Sequence, residues 1–142
     1  AKGCKERAHR VCEFIMKKIG LVILCWIGLF SIARAEWVLY GDNGKAAFYF
    51  DPTTVLVQNN RVSVWEMLDY SFPLNRVLSN KSHKEFDCVN LTFRYLAGEF
   101  FDQKMLQGEL ISKSQEPEED WRSVTEGTRN HELMTMVCPK WS

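Results

Sequence analysis

The sequence lacks the short motifs that mark the common enzyme classes. It has no Gly-x-Ser-x-Gly elbow, no P-loop and no Gly-x-Gly-x-x-Gly turn, so it carries no signature of an α/β-hydrolase, a P-loop NTPase or a dinucleotide-binding enzyme. Histidine is scarce, and neither His83 nor His131 lies at a metal-ligand spacing from a cysteine or a second histidine. Asp69 and Asp87 would form paired carboxylates only if they met across two strands. We therefore predict no catalytic, cofactor-binding or metal-binding residue.

The chain also lacks an apolar run long enough to cross a bilayer, which takes about 18 or more residues. Its longest run, residues 19–32, follows two lysines and precedes the small-residue sequence Ala-Arg-Ala. These features are typical of a secretory signal peptide. We predict a signal peptide at residues 16–35, cleaved between Ala35 and Glu36, and no membrane span after cleavage. Cys25 does not follow a lipobox, so no lipid anchor is predicted.

Residues 1–15, AKGCKERAHRVCEFI, have mixed charge and no clear period. We interpret them as an upstream extension outside the fold. The alternative is a basic arm that binds nucleic acid, but Glu6 and Glu13 dilute its positive charge. Residues 36–142, 107 residues long, are predicted to form one small domain.

A surplus of positive charge is missing from the predicted domain. The first 35 residues hold 7 of the 18 basic and 2 of the 18 acidic residues, which leaves 11 basic and 16 acidic residues and a net charge of −5. Binding to phosphate backbones depends on clustered lysine and arginine. The charge therefore argues against nucleic acid as a partner.

Cysteine is also rare in the predicted domain. Three of the five cysteines precede Glu36, so only Cys88 and Cys138 remain. Two cysteines in an exported domain are expected to pair, because the compartment is oxidising. The alternatives are a redox pair, which lacks the C-x-x-C spacing, and a metal site, which lacks matched histidines.

Most of the domain shows a strand pattern. Strand-favouring residues alternate with clusters of turn residues. Strands are predicted at residues 37–40, 45–50, 53–57, 61–70, 85–96 and 104–112. Residues 71–84 are polar and are predicted to be a loop with a short strand extension near residues 76–78. Residues 114–120, SQEPEED, are predicted to be an exposed acidic loop.

One helix is predicted near the end of the chain. Thr128 is a good N-cap, and Pro139 stops the helix. Leu133, Met136 and Val137 form its apolar stripe. The predicted fold class is α+β: one antiparallel sheet of about six strands, with a C-terminal helix that a Cys88–Cys138 disulfide ties to the sheet.

Several short stretches follow one another in a characteristic order. They are Trp37-Val38, Phe48-Tyr49-Phe50-Asp51, Val62-Ser63-Val64-Trp65, Asp69-Tyr70, Pro73, Glu85-Phe86-Asp87-Cys88, Phe93-Arg94, Trp121-Arg122-Ser123-Val124 and Cys138. This order resembles the surface-adhesin protein E family of bacterial envelope proteins. The resemblance spans nearly all of residues 36–142. It implies a small antiparallel sheet, a C-terminal helix held by a disulfide, and a Gram-negative source.

The resemblance also implies a function. We expect an exported, non-enzymatic module, periplasmic or secreted, that binds a host-matrix or envelope protein and is able to form a homodimer. The sequence identifies no binding residue. The alternatives are a structural periplasmic component and a small periplasmic enzyme whose site the sequence does not reveal.

The signal peptide gives the first testable prediction. Expression in a Gram-negative host should yield a protein whose N-terminal residue is Glu36, because signal peptidase cuts after Ala-x-Ala-like sequences. Mass spectrometry of the exported protein measures this directly. An intact precursor with free thiols would contradict the prediction.

Overall fold

The structure is a computed structural model that describes residues 35–139. Its elements are β1 (Val38–Asp42), β2 (Ala46–Phe50), β3 (Leu56–Gln58), β4 (Arg61–Leu74), β5 (Val77–Asp87), β6 (Thr92–Phe101), β7 (Leu110–Ser114), β8 (Arg122–Ser123) and α1 (Arg129–Val137). Short 3₁₀ turns cover Pro52–Thr54 and Lys104–Leu106. The upstream extension and nearly all of the predicted signal peptide lie outside the described residues and stay predictions.

All eight strands belong to one antiparallel sheet, in the order β1-β2-β4-β5-β6-β7. The three central strands are also the longest. Two short strands, β2 and β3, share one edge of β4, while β7 and β8 share the outer edge of β6. The predicted fold class is confirmed, although the sheet has eight strands and not about six.

The apolar core lies between α1 and one end of one sheet face, which we call the helix face. Even-numbered side chains of β4 and β5 point to this face, because successive side chains of a strand alternate. The core residues are Val62, Val64, Phe86, Phe93, Leu133, Met134 and Val137. Burying apolar side chains of this size stabilises the fold by about 1.5–3 kcal/mol each.

The helix begins where the sequence predicts. Thr128 is the N-cap, and its hydroxyl accepts a hydrogen bond from the backbone N–H of His131. The predicted apolar stripe is partly wrong, because Met136 is 51% exposed whereas Met134 is 5% exposed. A nine-residue helix resting on a sheet is covered from one direction only, so its rotation decides which of two nearby methionines is buried.

A disulfide joins Cys88, just after β5, to Cys138, the residue that caps the end of α1. The Cα atoms are 5.9 Å apart and the two cysteines are separated by 50 residues. The bond therefore attaches the C-terminal end of the helix to the sheet, as the fold prediction requires.

The loop predicted at residues 71–84 is wrong, although the strand extension predicted near residues 76–78 overlaps the start of β5. β4 continues to Leu74, Asn75 and Arg76 form the turn with positive φ, and β5 begins at Val77. The segment looked like a loop because it is rich in serine and asparagine. Four of its polar side chains are nevertheless buried: Ser79, Asn80, Ser82 and Lys84.

The single strand predicted at residues 85–96 is also wrong, because a turn separates β5 from β6. The Asp87 carboxylate accepts hydrogen bonds from the backbone N–H groups of Asn90 and Val89 and from the Asn60 side chain. The Asn90 backbone N–H contributes most to holding the pKa of the Asp87 carboxyl below its ordinary value. Leu91 completes the turn with φ 53°.

Two other strand boundaries differ from the prediction. Residues 53–57 contain the end of a 3₁₀ turn and the start of β3, and residues 104–112 contain a second 3₁₀ turn before β7. β3 and β8 are three and two residues long. Strands this short carry too little sequence pattern to be predicted, since the backbone of a longer neighbour holds them.

The disulfide gives a stability prediction. Cys88→Ser should lower the free energy of unfolding by roughly 2–5 kcal/mol, because the bond closes a long loop in a small domain. Urea unfolding under non-reducing conditions measures the difference. Adding a reductant should lower the stability of the parent to that of the variant, and equal stability of both proteins before reduction would contradict the prediction.

Candidate functional site

The helix covers only one end of the helix face, and the other end is open. There, β2, β4, β5 and β6 form the base of a concave pocket of about 490 Å³, which we call the open pocket. Its lining residues are Phe48, Glu66, Leu68, Tyr70, Asn80, Ser82, Lys84, Tyr95, Ala97, Gly98, Phe100, Ser114, Glu116, Glu118, Arg129 and Asn130. The open pocket is the candidate functional site.

A buried ion pair separates the apolar core from the open pocket. Glu66 on β4 is 1% exposed and Lys84 on β5 is 3% exposed, and the Lys84 Nζ lies 2.5 Å from the Glu66 Oε2. The Lys84 ammonium also donates to the Asn130 side-chain oxygen on α1, at 2.7 Å. Strand and helix are thereby linked at the edge of the pocket.

The second oxygen of Glu66 is satisfied from β1. The Tyr40 hydroxyl donates a hydrogen bond to the Glu66 Oε1. Burial, followed by the neighbouring Glu66 carboxylate, raises the pKa of the Tyr40 hydroxyl far above its ordinary value. The Tyr40 hydroxyl therefore stays protonated and donates to Glu66 Oε1, while Lys84 pairs with Glu66 Oε2. Both carboxylate oxygens of Glu66 thus have a partner.

The base of the pocket is a short chain of neutral hydrogen bonds. The Tyr70 hydroxyl donates to the Asn80 side-chain oxygen at 2.9 Å, and the Asn80 side-chain nitrogen donates to the Ser82 hydroxyl at 3.1 Å. Burial raises the pKa of the Tyr70 hydroxyl, and the nearby Glu66 carboxylate adds to the increase. The polar groups of the base thus hold one another in fixed orientations.

Apolar and aromatic side chains form the walls. Phe48, Leu68 and Phe100 lie on three different strands around the base. Arg129, at the start of α1, lies over the Phe48 ring at 5.2 Å, pairs with Glu132, and donates to the Asp42 carbonyl at 3.3 Å. A site with apolar walls and a few fixed polar groups is the usual form of a ligand-binding pocket.

The acidic segment 114–120 lies at the mouth of the pocket. The Glu118 backbone N–H donates to the Tyr95 carbonyl at 2.8 Å, and the Arg122 guanidinium donates to the Glu118 Oε1 at 2.7 Å. The other oxygen, Glu118 Oε2, is buried and accepts no hydrogen bond from any residue that the structure describes. The predicted exposed acidic loop is present, and of residues 114–120 only Glu118 is half-buried. The sequence did not indicate that Glu116 and Glu118 line the pocket.

The residues considered from sequence lie elsewhere. Asp69 is opposite Ser79 and Asp87 is opposite Arg61, toward opposite ends of the β4–β5 pairing, so the two acids do not form a carboxylate pair. The Cys88–Cys138 disulfide is at the end of α1 that lies away from Asn130.

Neither His83 nor His131 lines the pocket. His83 stacks on the Trp65 ring at 4.9 Å, on the sheet face opposite the helix face, and burial lowers its pKa. His131 lies in the first turn of α1. Within residues 35–139, no group of three or more histidine, cysteine, aspartate or glutamate residues is arranged to hold a metal ion.

Sequence reasoning missed the polar residues of the pocket. Asn80, Ser82 and Lys84 were placed in a loop, although they alternate along the chain and continue in register to the buried Phe86. That two-residue period was the available signal. Their polar character concealed it, because a strand facing the core normally shows apolar residues at these positions.

No helix in the described part of the chain is long and apolar enough to span a membrane.

Comparison with known families gives a direct match. The sequence model of the family Surface-adhesin protein E matches residues 37–139, which confirms the resemblance found from the residues. No curated protein sequence matches the chain.

Solved structures of one protein share the fold. Crystal form II of Haemophilus influenzae protein E is 19% identical, with a TM-score of 0.56, over 75% of this chain and 89% of that one. A selenomethionine form of H. influenzae protein E is 18% identical, with a TM-score of 0.58, over 77% and 90%. Protein E from non-typeable H. influenzae is 17% identical, with a TM-score of 0.56, over 76% and 78%. The fold is therefore that of protein E.

The buried ion pair gives a prediction about stability. Lys84→Met should lower the free energy of unfolding by roughly 3–5 kcal/mol, because it leaves the Glu66 carboxylate buried without its counter-ion. The double variant Glu66→Leu/Lys84→Met should be more stable than Lys84→Met alone. Urea unfolding measures all three proteins.

Lys81→Met is the matched control, since Lys81 lies on the same strand but pairs with Glu99 near the surface, with 30% of its side chain exposed. Its loss should cost about 1 kcal/mol or less. If Lys81→Met and Lys84→Met lowered the stability equally, the buried ion pair would contribute no more to folding than an exposed one, which would contradict the prediction.

Proposed function

The chain belongs to the surface-adhesin protein E family, and on that basis we propose that it is an exported, non-enzymatic protein-binding module of the bacterial envelope. Its binding site, in this proposal, is the open pocket. Its partners are host extracellular-matrix proteins or other envelope proteins.

The open pocket is the observation that carries the proposal. Its volume of about 490 Å³ falls within the usual range of about 300–1,000 Å³ for ligand sites. The base is built on the central strands of the sheet, and its polar groups are already hydrogen-bonded to one another. A site fixed before binding loses less conformational entropy when a partner enters.

The arrangement of charge favours binding over catalysis. Glu66 and Lys84 neutralise each other, and Tyr40 and Asn130 take up further hydrogen bonds of the pair. A general base needs a carboxylate or amine that is able to accept a proton from a bound molecule. The most deeply buried ionisable groups of the pocket are instead used to hold the structure together.

The disulfide supports export. Disulfides persist in the periplasm and outside the cell and are rare in the reducing cytosol. The Cys88–Cys138 bond ties α1 to the sheet, and α1 supplies Asn130 and Arg129 to the pocket. A pocket that depends on a disulfide is best suited to an oxidising compartment, in agreement with the predicted signal peptide.

The proposal predicts that filling the pocket abolishes binding. Gly98 lies on β6 in the pocket lining, and a Cβ added there would meet Phe100 Cε2 at 3.5 Å and the Lys81 carbonyl at 3.8 Å, which are ordinary contacts. Gly98→Leu should therefore fold but occupy the pocket. Capture of host-matrix or envelope proteins by the purified domain should fall by about tenfold or more, the effect of losing a central contact.

Gly98→Ala is the matched control, because it makes the same backbone change and adds a single methyl group. Its melting temperature should be close to that of Gly98→Leu, and its capture close to that of the parent. Equal capture by Gly98→Leu and the parent would refute the pocket as the binding site.

Antibody labelling of intact cells tests the cellular location of the protein. A protein confined to the periplasm would exclude adhesion to host proteins.

A further inference from the structure

We propose that the open pocket receives a basic side chain, lysine or arginine, of the partner protein, and that Glu118 pairs with its charge. This extends the proposed function and rests on it. Three features of the pocket support it: the negative charge at its mouth, the position of Glu118 Oε2, and the apolar and aromatic walls.

The positive charges of the pocket already have partners. Lys84 is paired with Glu66, and Arg129 is paired with Glu132 and with the Asp42 carbonyl. Glu66 in turn uses both of its oxygens. An acidic ligand would therefore find each cation of the pocket already next to a carboxylate, which weakens its attraction.

Negative charge at the mouth is less completely neutralised. Glu116 forms no ion pair with another residue of the described chain, and Glu118 shares one oxygen with Arg122. Glu119 and Asp120 follow directly in sequence. The mouth therefore carries an excess of negative charge, which attracts cationic partners and raises their association rate.

Glu118 Oε2 is the atom to which the ligand is expected to donate. It is buried and lacks a hydrogen-bond donor among the described residues, and leaving such an acceptor unsatisfied costs about 1–3 kcal/mol. The side chain as a whole is 35% exposed, so a partner is able to reach the side chain from solvent, and a small rotation of the carboxylate would present Oε2 to it. The carboxylate is already positioned, because Arg122 holds its Oε1 and the Tyr95 carbonyl holds its backbone N–H.

The walls suit the stem of a basic side chain. Lysine and arginine place their methylene groups along apolar surface while their charged end stays paired, and cations lie favourably over aromatic rings. Phe48, Tyr70, Tyr95 and Phe100 line the pocket. Lys84 and Arg129 already lie over Tyr95 and Phe48 in this way.

Other classes of side chain fit less well. A purely apolar side chain would pack against Glu118 without donating to Oε2, so the cost of the unsatisfied oxygen would remain. An acidic side chain would be repelled by Glu116 and Glu118. A neutral polar side chain lacks the attraction to the charged mouth.

The test uses three peptides that differ at one position. They are acetyl-Ala-Leu-Arg-Leu-Ala-amide, the same peptide with citrulline, which has the shape of arginine but no charge, and the same peptide with glutamate. Each is titrated into the purified ¹⁵N-labelled protein while the amide signals of Ser82 and Gly98 are followed by NMR. The arginine peptide should shift these signals and bind about tenfold more tightly than the citrulline peptide, with the difference shrinking as salt is added.

Glu118→Gln should remove this preference, because it keeps the shape and an acceptor for Arg122 but places an N–H₂ group where Oε2 lay. Glu119→Gln is the matched control, since it removes the same charge from the next residue, which does not line the pocket. It should leave the preference nearly unchanged. Equal binding of the arginine and citrulline peptides, no pocket shifts with the arginine peptide, or equal effects of the two variants would overturn the inference.

The outcome is separable from that of the proposed function. If Gly98→Leu abolishes capture of partner proteins while Glu118→Gln does not weaken it, the pocket binds proteins, but the proposal that it receives a basic side chain is wrong. If Gly98→Leu has no effect on capture, the pocket itself is not the protein-binding site.

Discussion

The structure depends on the buried ion pair between Glu66 and Lys84. Two opposite charges withdrawn from water are tolerated only when they pair closely and their remaining hydrogen-bonding groups are satisfied. Here the Tyr40 hydroxyl and the Asn130 side chain supply those bonds from β1 and α1. The ion pair therefore fixes β4, β5 and α1 to one another at a single point on the helix face.

This point divides the sheet face into two environments. On one side, apolar residues of the sheet meet Leu133, Met134 and Val137 and exclude water. On the other side, no part of α1 covers the sheet. The helix begins beside the pocket, with Thr128 as its N-cap and Arg129 as its first residue. The far end of the helix is attached by the Cys88–Cys138 disulfide. A nine-residue helix attached in this way is too short to cover the whole face, and the uncovered part is the open pocket.

The acidic segment between β7 and β8 gives the pocket its charge. Its position is set by backbone contacts, above all the bond from the Glu118 N–H to the Tyr95 carbonyl. Trp121 comes just after the segment, and the guanidinium groups of Arg61 and Arg94 lie over its ring at 5.0 and 4.8 Å. These contacts hold a segment rich in carboxylates against the sheet, where its charges are able to act on a bound molecule.

The sequence by itself determined the features that depend on neighbouring residues: the helix N-cap at Thr128, the stop before Pro139 and most of the strand pattern. It also determined the Cys88–Cys138 pair, because the domain has no other cysteine. Only the tertiary structure decided that Asn80, Ser82 and Lys84 belong to a strand facing inward, and that Glu116 and Glu118 lie at a pocket. A polar residue becomes buried when partners distant in sequence satisfy its hydrogen bonds, and Lys84 finds its partners 18 and 46 residues away, in Glu66 and Asn130. Local sequence records that these side chains are polar, but the position of their partners is a property of the folded chain.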